Sequence, residues 1–327
     1  MSCGGNSNLS PAEQAALVEQ GKQVFRFDTF GDETQWTDAL RMHEVIRTAV
    51  DPTTALAVGL KVDAEALPTA VVAGIQNGSV DLKSPGTTVA LLKLNVVVGL
   101  KGTVETNNGV DTLTRVGVTC ALCHSTVDNS FAPGIGKRLD GWPNRELNAG
   151  AIIALSPALS APVKAVYNSW GPGKYDPRFN LDGQNGPQVI PPAYGLDGIR
   201  KTTSTGDGDD LACWNRYVGV TQMGGHGSFA EPRTGVKVTN GTDDLISAKP
   251  SDAVSEPEPN GAPSYSSRSA TKQHRTAPLK GLWQHAPYFH NGTAPTLEAV
   301  VQTYDAELSL RMNPSQIADL TQYLKSL

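Results

Sequence analysis

VTCALCHST, residues 118–126, holds two of the four cysteines of the 327-residue chain. Cys120 and Cys123 lie three positions apart, and His124 follows at once. Positions i and i+3 share one face of a helical turn. Two thiols are therefore presented side by side, with an imidazole projecting from the next residue. C-x-x-C-H at this spacing is the signature of covalent c-type haem attachment. Each sulfur reaches one of the two haem vinyl groups, and an axial histidine is one of the few ways a protein holds haem iron. The cysteine pair also fits a redox dithiol or half of a zinc site. A redox dithiol follows a strand in a thioredoxin-like βαβ pattern, which the chain does not show. Zinc needs two further ligands at short spacing, and there is no second C-x-x-C and no H-x-x-x-H.

The net charge is −5, and no basic run marks a nucleic-acid surface. Hydrophobic residues make up 39%, below the usual globular share, while Gly (33) and Pro (22) are plentiful. This composition reads as a folded chain with long ordered loops. No run of 18 apolar residues spans a membrane. Haem of the c type is attached outside the cytoplasm, so a periplasmic or outer-surface location is expected. The start, Met-Ser-Cys3-Gly-Gly-Asn, resembles the mature end of a bacterial lipoprotein, which would make a lipid anchor at Cys3 the one membrane contact. A Cys3–Cys213 disulfide, or two unrelated thiols, are the alternatives.

Ser10-Pro11 followed by apolar residues at helical spacing predicts a helix over 10–25. Residues 33–48 read as a second, with Trp36, Leu40, His43 and Ile46 near one face. Short helices are expected over 64–77, 86–97, 145–155, 158–169, 209–222, 295–304 and 314–326. β-Branched runs on either side of Asn107-Asn108-Gly109 signal a hairpin that delivers the chain into the haem motif. Residues 171–208 and 224–272, rich in Gly, Pro, Asp, Ser and Thr, read as long loops. The fold expected is mainly α: an N-terminal helical region, 1–100, packing on a cytochrome c-like haem domain, 101–327, that carries the loop insertions.

His124 is the expected proximal ligand. Its second ring nitrogen needs an acceptor, and Pro133, in the loop FAPGIG after the motif, is placed to offer a backbone carbonyl. Arg138, Trp142 and Arg145 are candidates to bind the haem propionates. For the distal side Met223 ranks first, because it follows an expected helix and enters the flexible turn GGHGSF. Tyr304 ranks second and His290 third. His226 and His43 are weaker candidates, Met42 reads as core, and Met312 reads as packing.

RTAPLKGLWQHAPYFHNGTAPTLEAVVQTYD, residues 275–305, resembles the C-terminal domain of the bacterial dihaem cytochrome c peroxidases and the related methylamine-dehydrogenase maturation enzymes. GKQVFRFDTFGDE, CALCHSTVDNSFAPGIGKRLDGWPN and DLTQYLKSL are similar to the same superfamily, and IPPAYGLDG and CWNRYVGVTQMGGHGSF look like a single-haem branch of it. The resemblance implies one covalent haem c on Cys120 and Cys123, with His124 as the axial ligand. It places the histidine of the PYFHNG pattern on His290, and Tyr304 where the peroxidases carry an iron-binding methionine and the maturation enzymes a tyrosine. A calcium ion between subdomains, as in those peroxidases, is left open. The chain departs from the pattern in having a single C-x-x-C-H, so the second haem that relays electrons in a peroxidase is missing.

Two functions follow from different distal sites. With Met223 on the iron, a His/Met haem is an electron carrier that exchanges with redox proteins. With an open or weakly ligated iron, the chain is a haem peroxidase or oxygenase, for which His290 or His226, with Glu298 or Arg275 close by in sequence, would be the catalytic groups. A haem-bearing structural or sensor subunit is a third class.

Overall fold

Ser10 caps the first helix, accepting from the Glu13 backbone N–H while the Glu13 carboxylate accepts from Ser10. This capping box, with Pro11 at the first turn, starts α1 (Pro11–Phe27). The computed structural model describes residues 10–195 and 281–327, residues 277 and 279, and the short strand segments Ser228–Ala230, Lys237–Thr239, Ala253–Val254 and His274–Arg275. The expected helix over 209–222, most of the loop 224–272, Cys3, Cys213, Met223 and His226 lie outside the described residues.

The helix expected over 33–48 is two elements. Thr34–Ala39 winds as a π-helix, Arg41 turns the chain at φ 55°, and α2 runs Met42–Ala49. Tertiary bonds fix the break. The Thr37 hydroxyl bonds both the N–H and the C=O of Val116 at 2.8 Å, and the Ser156 hydroxyl donates to the Leu40 carbonyl at 2.6 Å. α3 (Pro52–Ala57) was not foreseen; Asp51 caps it by accepting from the Thr53 and Thr54 amides. The short strand β1 (Val62–Asp63) and a 3₁₀ turn over Ala64–Ala66 follow, so the helix expected over 64–77 narrows to α4 (Thr69–Gln76). α5 is Pro85–Lys93.

The hairpin forms as expected: β2 (Leu100–Asn107) pairs antiparallel with β3 (Val110–Val118). Asn108 and Gly109 close it at φ 52° and 78°, both in the left-handed region that a two-residue turn of this kind requires. α6 (Ala121–His124) carries the haem motif. β4 (Ser125–Val127) then pairs with β6 (Arg138–Asp140), while β5 (Ile135–Gly136) lies parallel to β1. After α7 (Ala149–Ala154) and α8 (Ala161–Asn168), β7 (Lys174–Tyr175) pairs with β8 (Gln188–Val189). The chain ends on two helices, Leu297–Leu308 and Pro314–Lys325. Among the described residues the strands form two-stranded sheets only, so helices and loops dominate. No described helix is long and apolar enough to cross a membrane.

The main core runs from Trp36, Met42 and Ile46 through Leu92, Val96, Leu113 and Val116 to Ile153, Tyr167 and Trp170. A second cluster, Val50, Ala55, Leu60, Leu147, Ala149 and Ile190, packs against Leu122 and Cys123. The haem motif is thus seated between core built before it and core built after it.

Candidate haem site

β3 ends against α1, where the Thr119 hydroxyl donates to the Arg26 carbonyl at 3.1 Å. Cys120 then opens one helical turn, closed by His124 N–H to Cys120 O at 3.1 Å, which places both thiols and the imidazole as their spacing requires. Gly99 presses its backbone on this turn at φ 79°; a Cβ there would come within 2.1 Å of the Leu122 Cα. The motif is further tied by Gly141 N–H to His124 O and Asn144 N–H to Cys123 O, each 2.8 Å.

Burial raises the Cys120 thiol to about 11 and the Cys123 thiol to about 12. A redox or metal-binding pair needs thiolate, favoured by nearby positive charge. Burial here works against the thiolate, and no group of three His, Cys, Asp or Glu suited to a metal ion occurs among the described residues.

His124 Nδ1 lies 2.9 Å from the backbone carbonyl of Pro191. The acceptor foreseen at Pro133 is thus supplied 67 residues beyond His124, by the loop that leaves β8. With its N–H donated from Nδ1, the ring carries its lone pair on Nε2, the tautomer that binds iron. Pro133 instead lines a cavity of about 370 Å³ that Cys120, Cys123 and His124 also line. The rest of its wall is mostly apolar, including Trp36, Met42, Leu56, Ile75, Phe131 and Ile135. An apolar cleft of this size suits a flat, mainly apolar ligand.

Beside the motif stands a polar cluster. The Trp142 ring lies 5.5 Å from Tyr194 and 5.4 Å from His285, centroid to centroid, and the Tyr194 hydroxyl is hydrogen-bonded to His285 Nε2. Burial, with a smaller effect of Arg145, lowers His285 to about 4, so it is neutral. Arg145 is partly buried, with Nε and Nη1 shut off from solvent and unpartnered, and burial pulls it down to about 10. An unpaired buried guanidinium demands an anion. A haem propionate answers that demand, so the residues present fit the group. Arg138 also leaves one buried nitrogen, Nη2, without a partner, but its Nε donates to Asp140 Oδ1 at 2.7 Å, in a cluster with Arg26 and Ser125. Burial alone would raise the Asp140 carboxyl, but Arg138 and these bonds outweigh it and hold it low. Arg138 is largely committed to the fold. Sequence reasoning missed Tyr194 and His285, which nothing but their closeness to Trp142 in space reveals.

His290 and Tyr304 do not line the cavity. The Val189 N–H donates to the His290 carbonyl at 2.7 Å, so the PYFHNG segment braces the strand that leads to Pro191. Tyr304 packs its ring 5.9 Å from that of Phe289. Met42 is core, as expected, and also reaches the cavity wall. Met312 anchors by its N–H to Asp305 Oδ1 at 2.9 Å.

A helical scaffold, an attachment turn and an apolar cleft together describe a c-type haem domain. Residues 274–307 match the RoxA-like, cytochrome c-like family, and this similarity implies haem c and a haem-binding redox protein. No curated protein and no solved structure matches the chain.

Proposed function

We propose that the protein is an extracytoplasmic electron carrier of the superfamily of the dihaem peroxidases and methylamine-dehydrogenase maturation enzymes, with a single covalent haem c. The observation that carries this reading is the His124–Pro191 bond at the edge of a cleft that both motif thiols line. The haem, when bound, supplies one-electron iron chemistry. Cys120 and Cys123 fix it to the chain, and the covalent link prevents its loss. His124 would hold the iron, and the Pro191 carbonyl, 2.9 Å from Nδ1, sets the ring orientation and would strengthen the imidazole as a donor. The apolar wall excludes water and, with thioether ligation, favours the reduced state. Arg145 would neutralise a haem propionate, and Trp142 could add only a neutral N–H donor. Met223 is the distal ligand of this reading, with Tyr304 and His290, which do not line the cleft, ranked after it.

Intact mass and a pyridine haemochrome spectrum test the attachment. The expected result is one haem per chain, lost in Cys120→Ala/Cys123→Ala; a mass equal to the bare polypeptide overturns the reading. Met223→Ala is expected to abolish the low-spin His/Met spectrum while Met312→Ala leaves it intact. The reverse outcome overturns the ligand assignment.

A further inference from the structure

Asp32 is a carboxyl group on the wall of the haem cleft that attachment and ligation do not use. It is 1% exposed. Its Oδ2 accepts the Trp36 indole N–H at 2.9 Å. The Val118 N–H, two residues before Cys120, lies 3.1 Å from Oδ1 and 3.3 Å from Oδ2. The packing is tight, since a Cβ on Gly117 would come within 2.6 Å of Oδ1. No cation pairs with Asp32 among the described residues. Its titratable neighbours are Asp28 and Glu33 on its own segment and Cys120 beyond β3. Lys61 also lines the cleft, but it is held by Glu146. Burial first, and then the negative neighbours, raise the carboxyl to about 9 against the pull of its hydrogen bonds. Without the extra positive charge of a ferric haem beside it, Asp32 in this setting is a neutral acid at pH 7.

We propose that Asp32 is the proton site coupled to reduction of the haem. When an electron arrives from a redox protein, the Asp32 carboxylate takes one proton from solvent and becomes the carboxylic acid; on oxidation the same proton returns to solvent. Ferric haem carries one more positive charge than ferrous haem. In a dry cleft that charge favours the carboxylate, and its loss on reduction restores the acid. The π-helix Thr34–Ala39 serves this role directly, because it presents the Trp36 indole N–H to Asp32, two residues before its start.

The proposal rests on the haem reading, and the experiment keeps the two apart. A pyridine haemochrome of the full-length protein comes first; without covalent haem it is that reading which fails. The haem midpoint potential is then followed by spectroelectrochemistry from about pH 5 to about pH 10. The wild type is expected to lose a factor of ten in its reduction constant per pH unit, 59 mV for a one-electron couple. This slope should span the window between the Asp32 pKa values of the two redox states. Asp32→Asn is isosteric and is expected to be flat across that window. Trp36→Phe removes a bond that favours the carboxylate and is expected to move the window to higher pH. A flat wild type, an Asp32→Asn variant that keeps the slope, or a window unmoved by Trp36→Phe overturns the proposal.

Discussion

Replacing Arg145 by leucine separates two accounts of the site that differ in sign. In the folded chain its Nε and Nη1 are buried without a partner, and burial lowers its pKa by more than two units, to about 10. At 1.36 kcal/mol per unit, the charged guanidinium costs about 3 kcal/mol where it stands. If no anion pairs with it in the haem-loaded protein, Arg145→Leu gives back about that much. If a propionate pairs with it, the substitution leaves a carboxylate unpaired in the same surroundings, and the loss is about 3–5 kcal/mol. Urea unfolding of haem-loaded wild type and variant, followed by Soret absorbance and tryptophan fluorescence, measures the difference. With slopes of about 1–3 kcal/mol per M, a change of 3 kcal/mol moves the midpoint by about 1–3 M. The expected direction is downward, with Arg145→Lys falling less because it keeps the charge. A midpoint that rises in Arg145→Leu refutes the pairing.

The ion pair Lys61–Glu146 is lopsided, with side chains 2% and 68% exposed. Glu146→Ala strands a buried ammonium and should cost toward the lower end of about 3–5 kcal/mol, whereas Lys61→Met should be nearly neutral; equal losses in thermal melts would refute this account. Because His285 is held neutral, with a folded pKa near 4 below its unfolded value of 6.5, the unfolded chain binds the proton first as pH falls. Stability should decline from about pH 6.5 to about pH 4 by about 3 kcal/mol. Titrating the melting temperature of His285→Phe should remove that part of the acid slope, and an unchanged slope would count against it. Gly99→Ala places a methyl group on the Leu122 backbone at a left-handed φ; the expected outcome is a lower yield of covalent haem per chain, and a wild-type yield would show that the contact can relax.

What the sequence discloses depends on how far apart the cooperating residues lie. The hairpin was legible because Asn108 and Gly109 carry their own turn geometry. The attachment turn was legible because its three chemical groups fit within five residues. The break between Thr34–Ala39 and Met42–Ala49 was not, since apolar spacing continues across it and the bonds that decide it come from Val116 and Ser156. The proximal carbonyl shows the same limit more sharply. A proline close behind the motif was the economical choice, and Pro133 does reach the cleft. Yet β4 and β6 pair across the FAPGIG turn and return the chain along the motif. The carbonyl over His124 then arrives with β8, whose Val189 is bonded to His290 and whose neighbour Ile190 is bonded to Gly173. The segment that matches a cytochrome c-like family therefore acts on the haem site through a strand. This explains how a stretch with no C-x-x-C-H of its own bears on the site. Residues 274–307 and the motif at 120–124 meet through one short segment, in which Val189 is bonded to the His290 carbonyl and the Pro191 carbonyl faces His124 Nδ1. Removing the PYFHNG brace should therefore loosen the orientation of His124 before it touches any ligand on the opposite side of the iron.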